Sequence, residues 1–266
     1  LFTVVHDQVM TDSARWADIV LPAVTFLEGH DLRAGYGNYM LGGVVPVVEP
    51  EGEAVSNMQL FARLGRALGF EDEAFRLDDG ELLRRAAAAV SLPGTEVDLE
   101  VITTGGQQSY DFDGAPPVQL ATSRPLTADG KIHLTPPVLG AEPYRWLPPD
   151  DQWPLALVSP ASQRLTNSTF GESGLTRLAV TVHPDEAVAR GLLAGDRVRV
   201  LNQRGEVHCR FKTSEAMRRG VAAMPKGAWA RASLNGLTTT ALCPADGQVV
   251  GGAACFNDAR VEIEPL

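Results

Sequence analysis

The stretch from His183 to Val207 limits the fold more than any other, because it spells a capped helix, a turn and a two-stranded hairpin in succession. His183 can cap a helix, and Pro184 falls at the first helical position, where a missing N–H is harmless. Asp185 and Glu186 then meet the positive end of the helix dipole. Gly191 supplies a left-handed stop. From Arg197 to Leu201 polar and apolar residues alternate, Asn202 to Gly205 carries turn chemistry, and Val207, Cys209 and Phe211 resume the alternation at period two. These residues predict a short helix followed by a half-buried antiparallel hairpin.

Further apolar runs at 155–158, 178–182, 221–224 and 261–264 join the two hairpin strands to predict six short strands around one small helix. Such a set suits a closed barrel, which leaves no exposed edge. Residues 1–90 carry a different pattern. A strand over 2–5, a helix over 13–17 and a buried strand over 19–21 closed by Pro22 read as part of a parallel α/β sheet. Ser56 or Asn57 caps a helix with Leu60, Phe61, Leu64 and Leu68 on one face, and a second helix starts near Asp79. Residues 91–152 are rich in Pro and Gly, with Pro116-Pro117, Pro136-Pro137 and Pro148-Pro149, which excludes long helices. The expected organisation is a partial α/β domain (1–90), a Pro/Gly-rich connecting segment (91–152) and an all-β barrel domain (153–266).

Composition excludes several functions. Lys and Arg number 23 against 33 Asp and Glu, a net charge of −10 that argues against a nucleic-acid partner. No apolar run approaches the roughly 20 residues of a membrane span, so no membrane insertion is expected. Cys209, Cys243 and Cys255 lack C-x-x-C spacing and read as packing residues, not as disulfides or cluster ligands. His30, His133, His183 and His208 are scattered, so no metal ligands are expected. Ser168, His183 and Asp185 lack a G-x-S-x-G elbow, which argues against a hydrolase, and no catalytic residue is assigned.

Four blocks in order, 155–170, 183–207, 232–238 and 251–263, resemble the C-terminal cofactor domain of the molybdopterin-guanine-dinucleotide oxidoreductases, the family of formate dehydrogenases and dimethyl sulfoxide reductases. The block 5–23, with Glu28 and Gly29 after it, resembles a segment of the α/β domain that precedes that cofactor domain. The resemblance implies that the barrel is a double-psi barrel, so that the fold class is an α/β partial domain followed by an all-β double-psi barrel domain. It implies a C-terminal portion of a molybdenum-dependent dehydrogenase or reductase, inactive by itself, that binds bis-molybdopterin guanine dinucleotide carrying molybdenum or tungsten. The metal-ligating residue and any iron–sulfur cluster would then lie in N-terminal regions that this sequence does not contain. An electron-transfer subunit is the implied protein partner, and the cytoplasm is the default location. The rival reading is a noncatalytic double-psi-barrel binding or interaction module.

A guanine dinucleotide presents a base with adjacent N–H donors, a sugar and a diphosphate. Asp7 ends an apolar strand, where ligands of open α/β sheets sit, and its carboxylate can accept two hydrogen bonds from guanine. Thr11 would donate from the same turn, and the resemblance implies that this pair binds the nucleotide. In the barrel, the loop after the first strand carries Ser159, Ser162, Arg164 and Asn167, a polar set able to wrap a diphosphate, with Arg164 giving charge-assisted contacts. The resemblance implies that this loop contacts the cofactor, although many members place a His near Asn167 where this chain does not. It also implies cofactor contacts for Asn235 and for Phe256 and Asn257 of the closing loop. From the residues alone, Asp7 also reads as a capping carboxylate, the loop as solvated, Phe256 as core and Asn257 as a turn residue. Trp229 reads as a buried structural residue before a lining of the same cleft. Glu28, Gly29, Tyr36 and Tyr39 shape the loop after the strand over 19–21. Within the resemblance, formate, sulfur oxyanions, nitrate and N- or S-oxides all stand as substrates, with formate-dehydrogenase-like enzymes slightly preferred on the run Asn167-Ser168-Thr169-Phe170.

Overall fold

A computed structural model describes residues 1–35, 39–90, 95–112, 114, 118, 120–121, 124–141, 151–163, 165–174, 177–245 and 257–266. The chain divides into two compact units, Leu1–Ile132 and His133–Leu266.

In the first unit, β1 (Val4–Asp7) and β2 (Ile19–Pro22) run parallel, with Asp7 opposite Pro22 at their carboxyl ends. The helix expected over 13–17 is a single 3₁₀ turn, Ala14–Trp16. Ser13 makes no side-chain cap, Thr11 takes the Ala14 N–H instead, and Ala17 is already extended. The expectation of a buried second strand is also corrected, since Ile19 and Val20 are 43% and 38% exposed. The strand pattern identified the pairing, but the two strands form a sheet of their own whose residues are half-buried or exposed.

A three-stranded antiparallel sheet follows from β3 (Asp31–Ala34) and β4 (Met40–Val44), and later elements complete it. These are α1 (Asn57–Ala67), α2 (Asp79–Ala88), α3 (Leu99–Thr103) and β5 (Gln107–Ser109). Each helix begins on a side-chain cap. Ser56 accepts the Gln59 N–H, Asp78 accepts that of Glu81, and Asp98 accepts those of Glu100 and Val101, each cap contributing about 1 kcal/mol. Leu41, Ala87 and Ile102 form the small core under this sheet. Thus α3 and β5, which fall within the Pro/Gly-rich stretch, are built into the first unit.

The apolar face anticipated on α1 is real but uncovered: Phe61, Leu64 and Leu68 are exposed. The helix packs instead through Ala62 and Gly65, and a Cβ at Gly65 would meet the Phe75 ring at 2.7 Å. Periodicity shows which residues share a face and says nothing of what lies against it.

The second unit holds the six expected strands: β6 (Leu155–Val158), β7 (Ala179–Val182), β8 (Arg197–Asn202), β9 (Gly205–Thr213), β10 (Val221–Ala223) and β11 (Ala259–Pro265). They close in the order β10-β6-β11-β8-β9-β7. Two neighbouring pairs are parallel, β6 with β10 and β7 with β9, and the remaining neighbours are antiparallel. Alternate residues point inward, so Val198, Val200, Val207, Cys209, Phe211, Val261 and Ile263 fill one core with Leu155 and Leu157.

The helix α4 (Pro184–Arg190) follows β7 as its sequence requires. The His183 ring accepts the Asp185 N–H, and Gly191 takes a left-handed conformation at φ 64°. Arg190 binds Glu186 at 2.6 Å and Glu262 of β11 at 2.5 Å, while Glu186 accepts the Gly220 N–H ahead of β10. An ion pair thereby joins the helix to β11, and a hydrogen bond joins it to the turn before β10.

Candidate functional site

The carboxyl ends of β1 and β2 open into a cavity of about 470 Å³, where ligands of parallel sheets collect. Asp7 lies at its edge. Its Oδ1 accepts the Gln8 N–H at 2.8 Å, and its Oδ2 accepts the Thr11 hydroxyl at 3.0 Å. Thr11 in turn accepts the Ala14 N–H. The sequence pair is thus brought together, but Thr11 braces the carboxylate instead of standing as a separate donor. Each Asp7 oxygen keeps acceptor capacity for a ligand.

His6 fixes the neighbouring wall. Pro22 O can only accept, so Nε2–H of His6 donates to it at 3.0 Å, while Nδ1 lies 2.9 Å from Asn57 Oδ1 at the start of α1. Glu28 shapes the rim as expected: its carboxylate accepts the Thr25 and Glu51 N–H groups at 2.7 and 3.0 Å. Those bonds, that of Thr25 foremost, hold the Glu28 carboxyl below the usual carboxylate range. Gly29 lines the cavity, Tyr39 packs edge-on against Phe112, and Tyr36 lies outside the described residues. Asp7 and Asp31 are the charged residues of the cavity wall, and no Lys or Arg is among its described lining residues. A wall rich in acceptors and without cations suits a ligand edge that carries N–H donors, such as guanine, better than it suits a phosphate.

In the barrel unit, Ser159 follows directly on β6 and is 3% exposed. Its N–H donates to Asn257 Oδ1 at 3.0 Å, so two residues singled out in the sequence 98 positions apart are joined. Its hydroxyl is buried and has no hydrogen-bond partner among the described residues. A buried hydroxyl without a partner is costly, and such groups mark places where a further polar atom belongs. Ser162 pairs through its backbone with Leu165, and Asn167 is exposed with a left-handed backbone at φ 52°.

Asn235 is engaged on β9. Its Oδ1 accepts the His208 and Leu237 N–H groups at 3.1 and 3.3 Å, and its Nδ2 donates to Glu206 O at 3.2 Å. Arg164 and Phe256 lie outside the described residues, as does Cys255. Trp229 is buried, as read from the sequence. No cluster of His, Cys, Asp and Glu able to hold a metal occurs among the described residues.

Sequence reasoning missed His6 and Asn57. A strand pattern places neighbours on opposite faces, which hid the fact that His6 and Asp7 both border the cavity at the strand end. His6 beside Asp7 was the available signal.

The profile of the molydopterin dinucleotide binding domain matches residues 155–250. The chain is 30% identical, over its whole length, to 40% of the probable oxidoreductase YoaE of Bacillus subtilis. It is 28% identical to the trimethylamine-N-oxide reductase of Haemophilus influenzae and 29% identical to the dimethyl sulfoxide reductase DmsA of Escherichia coli. Each of these matches spans 85% of this chain and 32% of the relative. The chain thus spans well under half the length of these curated relatives. The fold is similar to that of acetylene hydratase from Pelobacter acetylenicus, with a TM-score of 0.73 at 21% identity, covering all of this chain and 40% of that one. Residues 155–250 thus match a molydopterin dinucleotide binding domain, and the chain is similar to part of a probable oxidoreductase and of several reductases of N- and S-oxides.

Proposed function

We propose that this chain is the cofactor-gripping portion of a molybdenum-dependent oxidoreductase that binds bis-molybdopterin guanine dinucleotide, with molybdenum or tungsten as the metal. The observation that carries this reading is Ser159, inside the segment that matches a dinucleotide-binding domain: its N–H is held by Asn257, and its buried hydroxyl lacks a partner among the described residues. When bound, the metal and its dithiolene ligands supply the two-electron chemistry. The residues of this chain bind and orient. Asp7, braced by Thr11, accepts the N–H donors of a guanine. Ser159, Ser162, Arg164 and Asn167 receive a diphosphate, and Asn235, Phe256 and Asn257 close over the pterin side.

The barrel is proposed to be a double-psi barrel, a reading supported by six closed strands with two parallel pairs. The proposed functional division remains 1–90, 91–152 and 153–266. The relatives' names, reductases of N- and S-oxides, favour an enzyme over a noncatalytic module. They also favour an oxide substrate over the formate suggested by residues 167–170. The chain by itself is proposed to be inactive, and the whole protein to pass electrons to or from a partner subunit. No helix among the described residues is long and apolar enough to cross a membrane, and the cytoplasm is the proposed location. The test is Asp7→Ala in the polypeptide containing this chain: bound metal and guanylate fall together while circular dichroism is unchanged. Unaltered metal and guanylate content removes Asp7 from the site.

A further inference from the structure

Two of the non-glycine residues with left-handed backbone, Asn167 at φ 52° and Phe170 at φ 68°, fall in the loop that follows β6. Residues with a Cβ persist there only where their surroundings impose it. The surroundings are one short segment, residues 227–231. A Cβ at Gly227 would lie 1.6 Å from the Asn167 carbonyl oxygen, so the two backbones meet at a distance only glycine permits. Two residues on, the buried Trp229 donates its indole N–H to the Ser168 carbonyl at 2.8 Å, and a Cβ at Gly171 would strike that same nitrogen at 2.0 Å. Two residues further, Arg231 donates to the Gly171 carbonyl at 2.7 Å and lies 5.0 Å from the centre of the Trp229 ring. Alternate residues of one segment therefore touch the loop backbone at Asn167, Ser168 and Gly171.

We propose that Gly227, Trp229 and Arg231 form a clamp that sets the loop carrying Asn167 in its ligand-ready conformation, making Trp229 and Arg231 positioning residues for a diphosphate-bearing ligand. This inference rests on the reading that the loop binds such a ligand. Preorganisation acts on affinity, because a loop already ordered loses less freedom when it binds. Arg231 reaches the loop from outside the barrel ladders, so removing its charge loosens the loop and leaves the strands paired.

The test uses GDP as probe, with calorimetric titration and amide hydrogen exchange on the whole chain. Arg231→Met weakens GDP binding by about tenfold, the equivalent of one charge-assisted hydrogen bond, with the thermal midpoint nearly unchanged. The same variant speeds exchange of the Thr169 and Gly171 amides, which bond to Thr166 and Ser168 within the loop. Arg231→Lys keeps a cation over the indole and a donor for Gly171, and restores affinity to within about threefold of the parent. The clamp is overturned if Arg231→Met binds GDP as the parent does, or if exchange in the loop is unaltered. It is also overturned if affinity falls only in step with thermal stability and Lys is no better than Met. A parent chain that fails to bind GDP removes the ligand reading itself and the clamp's ligand role with it. The exchange rates then report separately whether Arg231 holds the loop.

Discussion

Ser159→Ala separates what stabilises the barrel from what serves a ligand. The Ser159 hydroxyl is buried without a partner among the described residues, while its N–H is held by Asn257. Alanine keeps the Cβ and the backbone bond and deletes only the hydroxyl. Burying an unpaired hydroxyl costs about 1–3 kcal/mol, and the small void left by one oxygen returns a fraction of that through lost dispersion contacts. The ligand-free chain should therefore gain about 1 kcal/mol, which for a unit of this size raises the melting midpoint by about 3 °C. Urea denaturation and thermal scans of parent and variant measure the gain. The same variant should hold less pterin cofactor when expressed within the full polypeptide, because the atom deleted is the one a ligand would satisfy. Destabilisation of the ligand-free variant would refute the reasoning, since it would mean that the hydroxyl already has a stabilising role in the fold.

Two further outcomes test the barrel. Burial tends to raise the Glu186 carboxyl, but the Gly220 N–H and Arg190 outweigh it, leaving it below its ordinary value of 4.5. Its contribution is therefore fully present above that value and is lost as pH falls through the lower folded-state value. Glu186→Gln should cost about 1.5–2 kcal/mol in urea denaturation at neutral pH, with the gap between parent and variant closing below pH ~4.5; a gap independent of pH contradicts this. Cys209 lies in the barrel core, and burial pushes its thiol up to about 11. Native protein at pH ~8 should resist iodoacetamide at Cys209 until the barrel unfolds, and mass-spectrometric labelling of the folded chain at that residue would count against it.

The barrel was legible because its signals are local. The alternation over 197–211 and the Pro and Gly that bound α4 depend on neighbours in sequence, and both appear as read. The first unit was less legible. Phe61, Leu64 and Leu68 share a face by spacing, yet coverage depends on residues far along the chain. The short α3 and β5 were hidden in a Pro/Gly-rich stretch whose composition argues against long elements without forbidding brief ones. At the candidate site, Asp7 with Thr11 followed from a four-residue spacing, whereas Ser159 and Asn257 were singled out separately and their bond was not read, because no local pattern joins residues 98 apart. Arg231 was invisible for the same reason: its partner is the carbonyl of Gly171, and a backbone acceptor leaves no side-chain signature in sequence.

The central claim, that this chain grips a pterin guanine dinucleotide, is tested most directly by composition. The polypeptide containing the chain is purified from cells supplied with molybdate, its metal measured by mass spectrometry and its guanylate by chromatography after acid hydrolysis. The account predicts bound molybdenum or tungsten with twice as many guanylates as metal atoms, both lost together in the Asp7→Ala protein. A correctly folded parent protein without guanylate, or with metal but no pterin, would contradict it.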